Sequence, residues 1–425
     1  MRQVGRYIHK ARKRLKPRHY HLLKRSYWHV NALLSLFNPA FRYMLRRSLF
    51  FREKKEIPHA LDYTRKCIDK AVAWMLFHQA LQPDGGVTSW VSFSKGRLVI
   101  GASYPEVTGY IIPTLFDYAT IFDSGRAFDA AVRAADFELP LQRPSGYFPG
   151  SVAGASPQPS VFNSAQIVHG LVRAYQETEA PKYLSAAARA CRWICEVQDA
   201  DGAWGRYNYE GMKRTYDTKV CQALLEADRV LGSNDFLDCV NRNLDFVLCN
   251  QKSNGWFHNC DNSFERNNAP LTHTIGYTTQ GLLECYRLTG REDLLQAATN
   301  TLHALMHQSE MSRRPLAGRF FSDWRPAVTS SCVTGDAQLS LCWMDVYEIT
   351  GDLRYLNAAL KMNDLLKCLQ YDCRFEEIDG ALPGSHPLWG DYFPYQVNSW
   401  GVKYYADALI KEYQLKARLL AETGQ

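Results

Sequence analysis

The chain repeats one pattern six times. Glycine-marked turns recur at Gly85, Gly146, Gly202, Gly255, Gly318 and Gly380, and each precedes a polar or charged residue that opens a helix-like stretch. The openers are Glu106 (YPEVTGYIIPTLFDYA), Asn163 (FNSAQIVHGLVRAYQE), Asp217 (YDTKVCQALLEA), His273 (THTIGYTTQGLLECY), Asp336 (GDAQLSLCWMDVYE) and Asn398 (NSWGVKYYADAL). Successive openers stand 57, 54, 56, 63 and 62 residues apart. That period holds two helices of about three to five turns with their connections, so each unit reads as a helical hairpin. Six hairpins predict a closed ring whose inner helices begin around one central cavity. The expected fold is therefore all-α: an (α/α)6 toroid of six helical hairpins with a basic N-terminal helical extension.

The period runs from about residue 60 to about residue 413 without a linker-like break, which overrides a multi-domain reading of the length. The expected domains are an amphipathic basic extension over 1–58 and the toroid over 59–425. Amphipathic segments at 61–82, 124–142, 181–198, 234–251, 292–309 and 353–370 are predicted as outer helices. The stretches after the openers are the inner ones. From each marked glycine to its opener runs a loop of 15 to 21 residues, rich in Trp, Tyr and Phe. Long loops on a rigid scaffold carry binding surfaces, so the cavity mouth is expected at that end.

The formal charge of +7 is unevenly spread: residues 1–55 hold 16 Lys or Arg and one acid, Glu53, which leaves the rest of the chain acidic. In the extension the cations interleave with aromatic and aliphatic residues. Such a segment suits an anionic membrane surface, with Trp28, Phe37, Phe41 and Phe50 inserting shallowly. Packing on the acidic ring, or docking a biosynthetic partner enzyme, are the alternatives. No recognition module accompanies the charge, so nucleic acid is not an expected partner. No apolar run reaches the roughly 18 residues of a spanning helix, and no secretory signal is legible at the start. The cysteines show no CxxC pair and no zinc spacing, so reduced thiols in a cytoplasmic protein, peripheral on the inner face of the membrane, are expected.

The turn QDADGAW (198–204) spells Q-x3-G-x-W, as in terpenoid cyclases. It pairs a helix-end Gln with a turn Gly and a Trp packing back. The acid cluster those cyclases need is absent, as is an Asp/Cys/His zinc set for a prenyltransferase. The segments DGALPGSHPLWGDYFPYQVNSWGVKYYADAL (379–409), YPEVTGY and LTHTIGYTTQGLLE resemble bacterial polysaccharide-biosynthesis proteins. Their (α/α)6 toroid is similar to that of glucuronyl C5-epimerases, uronate lyases and unsaturated-glucuronyl hydrolases. The resemblance covers most of residues 60–413. It implies a carbohydrate-active enzyme of surface-polysaccharide biosynthesis, a uronate C5-epimerase or lyase acting on an oligo- or polysaccharide, with no cofactor. A glycoside hydrolase of the same toroid class and a non-catalytic glycan-binding or assembly component are the alternatives. In that family the second opener is often Asp, where this chain has Asn163.

Asx openers can cap helices, but Glu106 and His273 are not preferred caps, so the set points to a site. His273, Tyr216 and Tyr277 are the candidate proton-transfer groups, and Glu106, Asp217 and Asp336 the candidate acid/base or orienting carboxylates. Trp204, Trp256, Trp324, Trp389 and Trp400 are candidate sugar platforms, with Tyr104 and Tyr392 beside them. Arg206, Arg266, Arg319, Asn163 and Asn398 are the groups expected to neutralise a uronate carboxylate, so that its C5 proton becomes acidic. Hydrolysis would instead need two carboxylates flanking the bond. No metal site is expected: His303 and His307 stand four apart on an outer helix without the carboxylate of a zincin pattern.

Overall fold

The computed structural model describes residues 17–52, 57–58, 60–154, 158–311 and 315–423. Two helices, α1 (Pro17–Ser35) and α2 (Pro39–Leu49), precede the ring. Outer helices α3 (Leu61–Ala80), α5 (Gly125–Glu138), α7 (Pro181–Glu196), α9 (Leu237–Cys249), α11 (Glu292–Met311) and α13 (Leu353–Leu369) then alternate with the inner ones. These are α4 (Pro105–Phe122), α6 (Val161–Thr178), α8 (Thr218–Leu231), α10 (Thr272–Thr289), α12 (Val333–Thr350) and α14 (Ser399–Thr423). Each inner helix packs on the next, and α14 closes the ring by packing on both α4 and α3. This is the six-hairpin toroid that the period predicts.

Burial follows the two layers. Val333 to Val346 of α12 are buried without interruption, whereas α9 buries only Cys239, Val240, Asn243, Leu244 and Val247. An inner helix is covered by two inner neighbours and an outer layer, while an outer helix keeps one face in water. All twelve cysteines are free and most are buried, as small apolar side chains.

The marked turns share one construction. At the end of an outer helix, Gln79, Gln142, Gln198, Gln251 and Gln370 each donate through Nε2 to the carbonyl of the turn glycine, at 2.9 to 3.4 Å. The same amide reaches a backbone carbonyl of a neighbouring outer helix: Ala130, Ala186, Cys239, Ala297 and Cys67, at 2.7 to 3.0 Å. One side chain thus fixes the turn and ties two hairpins together. The glycines Gly85, Gly146, Gly202, Gly255 and Gly380 all have φ between +83° and +104°, a region L side chains avoid. Gly318 is the exception. Its φ is not positive, and what it supplies is close approach, since an added Cβ would lie 2.8 Å from the Cys332 nitrogen.

Short strands dress the cavity end. β1 (Trp90–Ser94) pairs antiparallel with β2 (Arg97–Ile100) on one edge and with β5 (Val397–Asn398) on the other. The first and last loops are thereby joined across the ring closure. β3 (Ser331–Cys332) pairs with β4 (Ser385–His386). The helices α1 and α2 lie on this end. Phe41 buries against Phe93 and Tyr395, with ring centroids 5.1 and 5.9 Å away. Arg47 and Tyr43 donate to the carbonyls of Cys368 and Asp372. Phe41 is thus core, and it does not insert elsewhere.

Gly255→Ala separates the two demands of the turn. An added Cβ would meet Asn300 backbone atoms at 2.8 Å, on top of the left-handed φ of +84°. Gly290, which ends α10 at φ +72°, has open space around it. Gly290→Ala is expected to cost about 1 kcal/mol, the left-handed penalty alone. Gly255→Ala is expected to cost about 1–3 kcal/mol more through overpacking against a backbone that must shift. Urea midpoints of the two variants check this, and equal losses would refute the close packing of the turn.

Candidate functional site

The inner-helix starts and the long loops enclose one cavity of about 1730 Å³, open at the end that carries the loops. Its depth is formed by α4 (Tyr104, Glu106, Tyr110), α6 (Phe162, Asn163), the turn before α8 (Tyr216) and α10 (His273, Tyr277). Trp389, Tyr392, Trp400 and Trp90 supply aromatic wall. Tyr27, Trp28 and His29 of α1 reach the rim, where His29 Nδ1 lies 2.9 Å from the Tyr395 hydroxyl.

Glu106 is the cavity-lining carboxyl of α4. Pro105 starts α4 with its fixed φ, and Tyr104 at the cap position makes no side-chain cap bond. Glu106 therefore stands in the first turn, where the helix dipole would favour its anion. Desolvation wins: burial raises its pKa to about 7, against the opposing pull of the Tyr104 hydroxyl. Part of the residue still faces the open cavity. It is an acid that changes state near neutrality.

His273 is held from behind. Its Nδ1 lies 2.5 Å from Oε1 of the Gln338 amide, which fixes the ring from behind and leaves the opposite ring nitrogen, Nε2, for the cavity. Tyr277 packs at a tilt of 45° on one side, with centroids 4.4 Å apart, and Tyr392 stands at 5.7 Å. Burial lowers the pKa of His273 to about 4, partly countered by the Gln338 bond, so the ring is neutral in ordinary buffers. Tyr216 donates to Asn262 Oδ1 at 2.7 Å and, with Tyr277, flanks Phe162. Burial moves both phenols far above the ordinary range, which makes them hydrogen-bond donors and not bases. Asn163 Oδ1 accepts from Ser160, and its amide nitrogen has no protein partner.

The arginines are spent. Arg319 Nη1 lies 2.7 Å from Asp261 and its Nε 2.7 Å from Asp391, while Arg266 forks onto both oxygens of Asp391 at 2.9 Å. Burial pushes Asp391 upward, but Arg319 and Arg266 outweigh it and hold it below the usual carboxylate range. Arg206 does not line the cavity; it is exposed, with its guanidinium over Tyr207.

Several expected residues lie outside the cavity. Asp217 is wholly buried and makes no cap bond. Its Oδ2 accepts at 2.7 Å from Nδ2 of Asn208, and Asn208 is the residue that lines the cavity. Burial raises the Asp217 pKa to about 8, opposed by the Asn208 bond and by Arg214. Asp336 is also wholly buried, with neither oxygen hydrogen-bonded, and burial lifts it well above its usual value. Asn398 caps the start of α14, its Oδ1 2.7 Å from the Gly401 nitrogen. Trp204, Trp256 and Trp324 are not platforms. Their indole nitrogens donate to the carbonyls of Ile194, Phe320 and Asn254, at 2.9, 3.2 and 2.8 Å, which locks them into the turns. Tyr110 and Asn208 were not singled out from sequence. Tyr110 follows Glu106 by one helical turn, a signal that could have found it; Asn208 sits in an irregular loop and has none.

No protein-family profile and no curated protein matches the chain. Solved structures do. An unsaturated glucuronyl hydrolase specific for heparin superposes with a TM-score of 0.66 at 12% identity, covering 84% of this chain and 99% of its own. Cellobiose 2-epimerase from Bacillus thermoamylovorans gives 0.64 at 13%, with 84% and 99% covered. A D-mannose isomerase gives 0.65 at 12%, with 85% and 100% covered. At these identities the likeness shows the fold alone.

The raised carboxyl predicts a pH dependence. Below about pH 4.5 Glu106 holds its proton in both folded and unfolded chains; between about 4.5 and 7 only the unfolded chain releases it. The unfolded state then binds fewer protons, so stability falls as pH rises through that window, by about 2–3 kcal/mol. Glu106→Gln removes this loss. Relative to the parent, it should gain stability at pH 8 and little at pH 4, read by urea unfolding at both.

Proposed function

We propose that the chain is a carbohydrate-active enzyme that transfers protons to and from a sugar held in the cavity, an epimerase or isomerase. The observation that carries this is the pairing, in one cavity, of a carboxyl titrating near 7 with a neutral imidazole whose Nε2 is unoccupied. Efficient acid–base catalysis wants a pKa near the working pH, and Glu106 has it. In this reading Glu106 takes the proton from the carbon beside the carbonyl and returns it, while His273 Nε2 accepts the proton of a sugar hydroxyl. The electrons of the broken C–H form a C=C bond, the carbonyl electron pair moves to its oxygen, and His273 delivers there the proton it took from the hydroxyl. The deprotonated hydroxyl oxygen then forms the new carbonyl as the former carbonyl carbon takes the proton back from Glu106. Tyr216, whose proton goes to Asn262, offers its oxygen as an acceptor, and Tyr277 and Asn163 line the same cavity. Asp217 acts at one remove, by orienting Asn208. Trp389, Tyr392 and Trp400 give flat faces for sugar rings.

Two observations weigh against the alternatives. Hydrolysis needs a second carboxylate across the scissile bond. Among the described residues, Asp217 and Asp336 lie behind the wall and Asp261 and Asp391 are tied to arginine, which leaves only the exposed loop carboxyls Glu210 and Glu265 for that second role. A uronate needs its carboxylate neutralised, but Arg319 and Arg266 already face Asp261 and Asp391, and Arg206 is elsewhere. A neutral sugar fits the compensated wall better.

Incubation with neutral hexoses and reducing disaccharides in deuterated water, followed by NMR, tests the reading. Deuterium should enter at the carbon beside the carbonyl, and Glu106→Gln should slow this by about 10²–10⁴-fold with substrate affinity little changed. New reducing ends without exchange would make it a hydrolase, and exchange only at C5 of uronates would return it to the uronate group. Binding without turnover of any of these would overturn catalysis altogether.

A further inference from the structure

The surface of the two leading helices is unlike the rest of the molecule. Fifteen large apolar side chains are exposed among the described residues, and seven of them fall between positions 30 and 50: Val30, Leu33, Leu34, Leu36, Phe37, Leu49 and Phe50. Phe37 is 85% exposed, Phe50 75% and Leu33 65%. Val30, Leu33, Leu34 and Phe37 follow the i, i+3, i+4, i+7 spacing of a single stripe, continued from α1 into the connection to α2. The opposite side of α1 is occupied: Asn31 and Ser35 are buried, and Asn31 Oδ1 accepts from the Lys95 nitrogen in the β1–β2 turn. The stripe is thus the outer face of a helix already seated on the ring.

Cations accompany it. Arg42, Arg46, Arg47 and Arg52 are exposed on and just after α2, and the first acid in the sequence is Glu53. Apolar side chains standing in water beside an unbroken run of one charge fit a partner that is apolar within and anionic at its surface. We infer that this face docks on an anionic lipid bilayer, with Leu33, Phe37 and Phe50 entering the acyl boundary and the arginines meeting the headgroups. Each cation near such a surface contributes about 1 kcal/mol. Among the described residues no helix is long and apolar enough to cross a membrane, so the attachment is peripheral. Since Tyr27, Trp28 and His29 of the same helix line the cavity rim, docking sets the mouth beside the bilayer. Trp28 serves the cavity, and Phe41 the core; the inserting residues are the other exposed ones.

The full-length protein is mixed with vesicles of phosphatidylcholine, with and without phosphatidylglycerol, and sedimented. Binding is expected only to the anionic vesicles, and raising salt from 50 to 500 mM should weaken it at least about tenfold through screening. Phe37→Glu, with unchanged helicity by circular dichroism, should weaken it about tenfold or more at low salt. Failure to bind anionic vesicles at low salt overturns the inference, as does binding indifferent to Phe37→Glu, which would place the attraction elsewhere in the chain. A mass that halves on Phe37→Glu in light scattering, without vesicle binding, would make this face a contact between copies instead.

Discussion

The ring depends on a glutamine amide that serves two carbonyls at once. Each of the five clamps joins the end of an outer helix to its own turn and to a neighbouring outer helix. A buried carbonyl left without a partner costs about 1–3 kcal/mol, so the amide carries more weight than its one bond to the turn suggests. The clamp also explains the glycine. Its left-handed backbone aims the carbonyl at the amide, and its missing Cβ lets the turn touch the neighbouring helix. Tryptophans such as Trp204 then cover the clamp, their own N–H groups satisfied by backbone. Everything beyond the turn, the long loop and the start of the inner helix, inherits its position from this contact.

That inheritance is why the fold was legible in the sequence and the site only partly so. Turn glycines, helix-end glutamines and the period are set by backbone geometry, which tolerates few residue types and repeats them. The openers Glu106 and His273 were legible because neither is a good cap, so their presence at a helix start required another reason. Asp217 and Asp336 occupy equivalent positions by count, yet point behind the wall. A count along the chain fixes a residue near a helix start, but one residue of offset turns a side chain by about 100°. Arg266 and Arg319 show a second limit. Their approach to the cavity followed from position, whereas their neutralisation by Asp261 and Asp391 depends on contacts across separate loops. The tryptophans show a third, since an aromatic in a turn can face the cavity or cover a clamp, and composition does not distinguish them.

The two ends of the inner helices divide charge differently. Away from the mouth, ions sink in partnership: Arg287 and Lys411 on the buried Asp345, and Lys403 on Asp407. Removing one member of such a pair leaves a buried charge uncompensated, which is costly, so these groups fix the packing of neighbouring helices. At the mouth the aromatic residues take over beside the Arg319, Arg266, Asp261 and Asp391 network, and compensation fails only at isolated carboxyls.

Incomplete compensation identifies where chemistry can occur. Among the described residues, four carboxyls with pKa values raised chiefly by burial, Glu106, Glu138, Asp217 and Asp336, have no ion-pair partner. Glu138 and Asp336 are sealed in the wall, and nothing entering the cavity can reach their protons. Asp217 is sealed as well, but its bond to Asn208 transmits its orientation to the lining. Glu106 alone among the four faces open space. Its burial costs the folded chain stability at neutral pH, and the same desolvation holds its proton at the threshold of release.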